Sequence, residues 1–227
     1  KYVPKLKILG CGNNKKFTDE GLKYLPNLKT LDCYYNKNFT DEGLKYLPNL
    51  KILKCGWNSQ MRFTTKGLKY TPNLKYLQCG YSNFTDKELK YLPNLEVLKC
   101  DNNENFTDEG LKYLPNLKTL ACGLNENFTD KGLKYLPNLK KLDCYYNRNF
   151  TDEGLKYLPN LKILCSNKNF TDEGLKYVPK LKKLYCRINK NFTDKGLKYL
   201  PNLKTLDCEY SNFTNEGLQS LTNLKLV

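Results

Sequence analysis

A thirteen-residue segment, Phe-Thr-Asp-Glu-Gly-Leu-Lys-Tyr-Leu-Pro-Asn-Leu-Lys, recurs with few changes along the whole chain. The 227 residues include ten Phe, ten Cys and ten Pro, and each of the three occurs once per copy. Successive Phe residues are 20 to 24 positions apart, most often 22. This period predicts a solenoid, because one such unit is too small to bury its apolar face without its neighbours.

Each copy contains two local patterns, and the second copy shows both. Leu31 and Cys33 alternate with more polar residues, which predicts a short strand with one buried side. Thr40 precedes Asp41 and Glu42, an order typical of a helix N-terminus, because the hydroxyl caps free N–H groups and the acids favour the positive end of the helix dipole. The proline that closes each copy should end the helix within about two turns.

The fourth copy departs from the pattern at the start of its helix. Glu88 stands there in place of the usual Gly, three residues after Thr85. This spacing predicts a capping box between the two side chains. It also predicts ordinary helical dihedrals at the Gly position of every copy, since a residue with a Cβ is accepted there.

The pattern Leu28-x-x-Leu31-x-Cys33-x-x-Asn36 resembles the leucine-rich repeat, whose signature is Leu-x-x-Leu-x-Leu-x-x-Asn. The likeness covers the whole chain in register. The Thr-Asp-x-Gly-Leu segment and the regular cysteine resemble most the cysteine-containing subclass known from F-box proteins and from repeat proteins of bacteria and large DNA viruses.

The resemblance implies an α/β fold: a leucine-rich-repeat solenoid shaped as an arc, with about ten repeats of ~22 residues. A parallel sheet would form the concave face and short helices the convex face. We expect one domain over residues 1–227 that is a fragment of a longer chain or lacks separate caps, so that its ends could stack on another molecule. The family's buried asparagine ladder maps to Asn14, Asn36, Asn58, Asn103, Asn125, Asn147 and Asn189, with Ser82 and Ser211 in two shortened copies.

Composition argues against an enzyme. The chain contains no His, so it lacks the residue most often used for proton transfer and the commonest partner of a Ser or Cys nucleophile. Its Asp-Glu pairs recur in five of the ten copies, as helix starts do and catalytic dyads do not. We expect no catalytic residues, no cofactor and no metal site, since no Cys-x-x-Cys pair occurs either.

The cysteines bear on the cellular compartment. Their regular spacing places them at inward strand positions, which favours buried free thiols in a reducing, intracellular compartment, cytoplasmic or nuclear. The recurring Asn-Phe-Thr is also a glycosylation sequon, but Phe for the core and Thr for the cap explain it. No apolar run is long enough to cross a membrane.

The positions that vary most between copies lie at outward strand positions and just after the cysteine. Aromatic residues cluster there, and large amphipathic rings on a rigid wall suit protein recognition. The alternative is that Tyr has no binding role and only covers the pleated surface of the strands. The predicted protein-binding residues on the concave face are Tyr34, Tyr35, Trp57, Tyr76, Tyr81, Tyr145, Tyr146, Tyr185 and Tyr210.

A net charge of +15 supports a rival function. One lysine row, on the helices, should be partly neutralised by an Asp four residues earlier, such as Asp19 before Lys23. A second row, before the strands, lacks such partners and should form a positive edge that binds nucleic acid or another polyanion, or only keeps the solenoid soluble. The predicted polyanion-binding residues within this row are Lys29, Lys51, Lys75, Lys118, Lys140 and Lys162.

The eighth copy is shorter than the others. We interpret it as missing one residue between Leu164 and Cys165. Strict alternation would then turn Cys165 outward, unless a backbone irregularity returns it to the core.

Overall fold

The computed structural model describes residues 3–14, 16–56, 64–219, 221 and 224–226. Within these residues one parallel sheet contains eleven strands, and each strand pairs with the next along the chain. The predicted α/β solenoid is confirmed, and the chain continues into one more strand than the ten complete copies supply. The strands are β1 Ile8–Gly10, β2 Thr30–Asp32, β3 Ile52–Lys54, β4 Tyr76–Gln78, β5 Val97–Lys99, β6 Thr119–Ala121, β7 Lys141–Asp143, β8 Ile163–Cys165, β9 Lys183–Tyr185, β10 Thr205–Asp207 and β11 Lys225–Leu226.

The helices end within the two turns predicted, and most are about one turn long. Most span four residues, and those of the third and fourth copies, Thr65–Tyr70 and Asp86–Tyr91, are 3₁₀ helices. A segment this short leaves no room for more, because the chain must return to the sheet within one repeat. The α-helices are α1 Asp19–Leu22, α2 Asp41–Leu44, α3 Asp108–Leu111, α4 Asp130–Leu133, α5 Asp152–Leu155, α6 Asp172–Leu175, α7 Asp194–Leu197 and α8 Asn215–Gln219.

Equivalent residues stack in columns through the core. Leu31, Leu53 and Leu77 face one another in register on successive strands, and all three are fully buried. Phe106 and Phe128 are buried to the same extent. The alternation predicted for the second copy is confirmed, since Cys33 is buried while Thr30 and Asp32 are partly exposed. Each repeat therefore completes its apolar core only against its neighbours.

The asparagine ladder is confirmed except at Asn14, which is exposed and accepts from the backbone N–H groups of Lys16 and Phe17 in its own copy. The side-chain amide of Asn125 donates to the carbonyl of Asn103 at 2.6 Å, and that of Asn189 donates to the carbonyl of Asn167 at 2.8 Å. The Ser82 hydroxyl donates within its own copy, to the carbonyl of Cys79 at 2.6 Å, and accepts from the Asn103 side-chain amide of the next copy at 3.2 Å. Asn167 belongs to the ladder as well, although the spacing rule missed it in the shortened eighth copy. Asn58 lies outside the described residues.

A second ladder, which the sequence did not predict, joins the helix starts. The carboxylate of Asp108 accepts two hydrogen bonds from the next repeat, from the Thr129 backbone N–H at 2.8 Å and from the Thr129 hydroxyl at 2.6 Å. The Thr129 hydroxyl in turn caps the backbone N–H of Lys131 at 3.2 Å. The predicted Thr cap is thus confirmed, and each cap is itself held by an Asp from the preceding copy. The same pair recurs from Asp19–Thr40 to Asp194–Thr214.

This ladder explains the Gly of each helix. A Cβ added to Gly132 would lie 2.3 Å from Oδ1 of Asp108, closer than any real contact. The prediction that Gly has ordinary dihedrals is confirmed, because no described Gly has a positive φ. The Gly is therefore needed for space. The third copy carries Thr65 at the Asp position. The Gly position of the fourth copy therefore has no Asp carboxylate beside it, which agrees with Glu88 being accepted there.

The predicted capping box in the fourth copy is wrong. The Thr85 hydroxyl caps no backbone N–H and lies 3.3 Å from the Glu88 carboxylate, to which it donates. Helix type is not the cause, because the Thr64 hydroxyl caps the Lys66 backbone N–H at 3.2 Å at the start of the other 3₁₀ helix. The preceding copy carries Thr65 in place of Asp, so no carboxylate holds the Thr85 hydroxyl toward the helix start.

The eighth copy is shortened at a different point from the one predicted. Five positions separate Leu142 from Asn147 in the seventh copy, but only three separate Leu164 from Asn167. The eighth strand is regular, and two residues are missing from the turn that follows it. Cys165 faces outward, as strict alternation predicted, and is partly exposed.

Candidate protein-binding surface

The solvent side of the sheet, here called the sheet face, carries an apolar strip. Ile52, Tyr76 and Val97 occupy the same register position on β3, β4 and β5. All three are half-buried, so part of each side chain remains open to a partner. Ile52 and Val97 were not among the predicted site residues. The signal for them was their outward position next to an inward Leu, combined with a β-branched aliphatic side chain.

Polar groups border this strip. The Tyr76 hydroxyl donates to Oε1 of Gln78 at 3.0 Å, and the Lys99 ammonium lies 5.7 Å from the centre of the Tyr76 ring. Lys54 and Asp32 form an ion pair at 3.5 Å on the neighbouring position. An apolar centre with a polar margin is the usual composition of a protein-recognition patch.

Tyr34 extends the strip toward the edge of the sheet. A Cβ on Gly56 would lie 3.4 Å from Cε1 of Tyr34, so the ring covers this glycine. The hydroxyl of Tyr34 is buried and makes no hydrogen bond within the described part of the chain. Burial, followed by the nearby Tyr76, raises the pKa of Tyr34 above its usual range. A buried hydroxyl without a partner is destabilising.

Several predicted tyrosines lie in the turn after the strand, in the left-handed backbone region. Their φ values are 57° at Tyr35, 55° at Tyr81, 61° at Tyr146 and 61° at Tyr210. This region is costly for a residue with a Cβ and is cheaper for Asn, which equivalent copies use at Asn102. The turn holds these rings at the rim, where Tyr210 is 70% exposed.

The predicted aromatic residues do not form one continuous patch. Tyr34, Tyr35, Tyr76 and Tyr81 belong to copies two to four, and Trp57 of the same group lies outside the described residues. The second group belongs to copies seven to ten, where the Tyr145 and Tyr146 rings lie with their centres 4.1 Å apart and Tyr185 stands beside Cys165 in register. Thr119 and Ala121 of β6 separate the two groups.

The lysine row before the strands forms the predicted edge, although one of its lysines is replaced. Two shallow grooves, of about 570 Å³ and about 410 Å³, follow one another along it. Glu96 accepts from Lys75 at 3.0 Å and from Lys118 at 2.6 Å. These bonds, that from Lys118 first, lower the pKa of Glu96 to about 2. The expectation that the row lacks acidic partners is therefore wrong at its centre. The grooves are lined by Lys29, Lys51, Lys75, Lys118, Lys140 and Lys162, with asparagines between them.

The helix lysines pair differently from the prediction. Lys176 bonds to Glu173, three residues earlier, at 2.8 Å, and the other helices with Glu at this position repeat the pair. Asp172 is instead committed to Thr193 of the next repeat. The spacing rule chose the wrong acid because the ladder between repeats was not visible in the sequence.

All ten cysteines carry free thiols, eight of them buried. The Cys33 thiol donates to the carbonyl of Lys54 on the next strand, with sulfur and oxygen 3.4 Å apart. Burial raises the pKa of Cys33 well above its ordinary value. Among the described residues no three His, Cys, Asp or Glu side chains gather as metal ligands would. In the same part of the chain, no helix combines the length and apolar character needed to cross a bilayer.

No family model matches this sequence, and no curated protein matches it. Solved structures do. A leucine-rich-repeat protein of Leptospira interrogans, LIC12759, superposes on 99% of the chain with a TM-score of 0.70 and 24% identity. An internalin of Listeria monocytogenes, InlF, covers 97% of the chain with a TM-score of 0.58 and 19% identity.

A third similar structure is the functional domain of InlJ from Listeria monocytogenes, described as including a cysteine ladder. It covers 97% of the chain with a TM-score of 0.66 and 23% identity. The chain spans 61% of the length of the Leptospira protein, 86% of InlF and 52% of InlJ. At these identities the likeness concerns the fold. The fold of the chain is that of a leucine-rich-repeat solenoid.

Proposed function

We propose that this chain is a non-catalytic scaffold that binds a protein partner on its sheet face, the side predicted to be concave. The observation that carries the proposal is the apolar strip of Ile52, Tyr76 and Val97, half-buried residues that line the solvent side of three adjacent strands. Apolar and aromatic side chains at the centre of a surface, within a polar margin, supply most of the binding energy in protein complexes.

The rim tyrosines strengthen this proposal. A Tyr in the left-handed region costs about 1 kcal/mol or more relative to a residue that tolerates it. Tyr35 and Tyr81 accept this cost at two turns that flank the strip. Equivalent turns have the same left-handed conformation at Asn102 and Leu124, so the repeat fixes the backbone, and the use of Tyr at this costly position is consistent with a recognition role.

The test uses the chain as bait, followed by a measured affinity. The full chain would be immobilised, a binding protein captured from the source organism and purified, and its affinity measured by calorimetry. Tyr76→Ala combined with Val97→Ala should weaken binding at least tenfold, because truncation of a buried anchor typically costs about 2 kcal/mol or more. Tyr157→Ala, an exposed helix-side tyrosine, is the matched control. Equal affinity of all three proteins would refute the proposal.

Polyanion binding is the second candidate, and the continuous grooves along the lysine edge are the observation in its favour. Glu96 weakens it, because its carboxylate offsets part of the positive charge of Lys75 and Lys118 at the centre of the row. A titration with a 20-base single-stranded DNA over a salt series distinguishes the candidates. Phosphate contacts give a steep loss of affinity with salt. We expect no affinity that survives physiological salt.

We also propose a reducing intracellular compartment for the protein. Its support is the set of ten free thiols, eight of them buried in the solenoid. Mass spectrometry of the protein alkylated at lysis tests this, since recovery of disulfide-linked peptides from the native source would contradict it.

A further inference from the structure

The shortened eighth copy creates a slot in the rim of the solenoid. The turn after the strand contains Tyr145-Tyr146 in the seventh copy and Arg187-Ile188 in the ninth. The eighth copy lacks both turn residues, and Asn167 follows Ser166 directly. Strands of the seventh and ninth copies lie about 9.6 Å apart, twice the ~4.8 Å spacing of paired strands. A gap of this width separates the two flanking turns.

The slot has apolar walls and a closed floor. Tyr145 and Tyr146 form one wall, and Ile188 forms the other. The floor is the buried pair Ser166 and Asn167, and the enclosed volume is about 160 Å³. Tyr146 is 51% exposed and Ile188 is 39% exposed, so the repeat itself leaves both walls uncovered.

The volume of the slot limits its occupant. Pockets that hold drug-sized ligands start at about 300 Å³. A cavity of about 150 Å³ accommodates a single benzene ring. One aromatic or aliphatic side chain therefore suits the slot, and a larger metabolite does not.

The charged residues that line the slot indicate which residues should flank the inserted side chain. Arg148 and Lys168 line the outer end of the slot, and both are exposed. Arg148 forms an ion pair with Glu126 at 3.6 Å, and no acidic side chain lines the slot itself. An occupant with carboxylates beside its apolar group complements these cations.

We propose that this slot is a second anchor site for the protein partner, which inserts one aromatic or large aliphatic side chain flanked by acidic residues. The proposal rests on the proposed function, because it assigns a specific contact within protein recognition by the solenoid. It predicts two separate contact regions on one partner, the apolar strip of copies three to five and the slot of copies seven to nine.

A tripeptide titration tests the slot alone. The probe is acetyl-Glu-Phe-Glu-amide, followed by amide and methyl NMR spectra of the full chain. We expect saturable shifts at Ile188 and Lys168 with a Kd on the order of 1 mM, as one side chain in a small pocket allows. Acetyl-Glu-Ala-Glu-amide tests the apolar group, and acetyl-Lys-Phe-Lys-amide tests the charges. Each should bind at least tenfold more weakly.

Two variants and one control complete the experiment. Insertion of Tyr-Tyr between Ser166 and Asn167 restores the length of the seventh copy and should abolish the shifts. Ile188→Glu should do the same without altering chain length. Leu124→Glu changes an exposed apolar residue in the equivalent turn of the sixth copy and should leave the titration unchanged.

Two results would overturn the slot proposal. One is the absence of saturable shifts at Ile188 in the folded wild-type chain, and the other is equal binding of the three tripeptides. Either outcome leaves the partner's dependence on Tyr76 and Val97 unaffected. Failure of the slot and failure of the sheet-face proposal are thus separate results.

Discussion

The contact between Asp108 and Gly132 predicts that Gly132→Ala destabilises the wild-type protein but stabilises a variant that lacks the Asp108 carboxylate. Oδ1 of Asp108 occupies the space where a Cβ of residue 132 would stand, 2.3 Å away. The next nearest atom outside Asp108 is a methyl carbon of Leu111 at 3.0 Å, which can shift. Gly132→Ala therefore displaces the carboxylate from Thr129.

The magnitude follows from the bonds that are lost. Asp108 accepts two charge-assisted hydrogen bonds from Thr129, and each contributes roughly 1–1.5 kcal/mol at this half-exposed site. Losing both costs about 2–3 kcal/mol, while Ala in place of Gly within a helix returns up to about 1 kcal/mol. Gly132→Ala should lower the free energy of unfolding by about 1–2 kcal/mol.

The same substitution should stabilise the Asp108→Thr protein. That background has already lost the carboxylate, so only the helix preference of Ala remains and the expected gain is up to about 1 kcal/mol. The coupling free energy of the pair is then about 2–3 kcal/mol, within the range measured for residues in contact. Thr65 and Glu88, one repeat apart, are a natural instance of this combination.

Urea unfolding followed by circular dichroism, on the wild type, both single variants and the double variant, measures this coupling. Thr65→Asp combined with Glu88→Gly is the matched control, since it installs the usual pair in the exceptional copies and should be tolerated. Thr65→Asp alone should destabilise. A coupling below about 0.5 kcal/mol would show that the two residues act independently and that the Gly has another cause.

Three further predictions follow from the turns, thiols and ion pairs. Alkylation of the native protein at pH 8 should modify Cys165 and Cys208 before the eight buried cysteines. Cys165 should still react more slowly than free cysteine, because burial, and then Asp143, raises its pKa to about 12. Equal rates at all ten cysteines would contradict this. Tyr35→Gly should raise the unfolding free energy by about 1 kcal/mol, measured in urea, because Gly tolerates φ > 0; a loss would contradict this. The pKa of Glu96 is lowered to about 2, so its ion pairs stabilise the folded state above the unfolded pKa of Glu, and this stabilisation is lost as the pH falls through about 2. Acid unfolding of Glu96→Gln should lack this component. Identical acid-unfolding curves for the variant and the wild type would contradict the prediction.

The fold could be predicted from the sequence because its signals are local and repeated. The alternation at Leu31 and Cys33, the Thr caps and the period each fix one feature of every copy, and the structure confirms them. The contacts between repeats were harder to predict from the sequence. Asp19 was assigned to Lys23 by helix spacing, whereas the structure gives it to Thr40 of the next copy, 21 residues away. A rule that considers one helix cannot detect such a bond.

The candidate surface was predicted in part. Outward positions followed from strand alternation, which placed Tyr76 correctly on the sheet face. The prediction favoured aromatic residues and so left out Ile52 and Val97. The register of three strands is needed to see that these two residues lie beside Tyr76. The slot depended on where the eighth copy loses its residues. The sequence allowed the gap to be placed before Cys165, and only the strand pairing moves it to the turn after Ser166.

The central claim is that the sheet face, and not the lysine edge, recognises a protein partner. The most direct measurement is the affinity of the captured partner, at low and physiological salt, for the wild type and two variants. Tyr76→Ala with Val97→Ala should weaken binding at least tenfold at both salt concentrations. Replacement of Lys29, Lys51 and Lys140 with Gln should change binding less than twofold at physiological salt, since exposed charges contribute little there. The opposite pattern, with affinity lost in the lysine variant and kept in the sheet-face variant, would contradict the account.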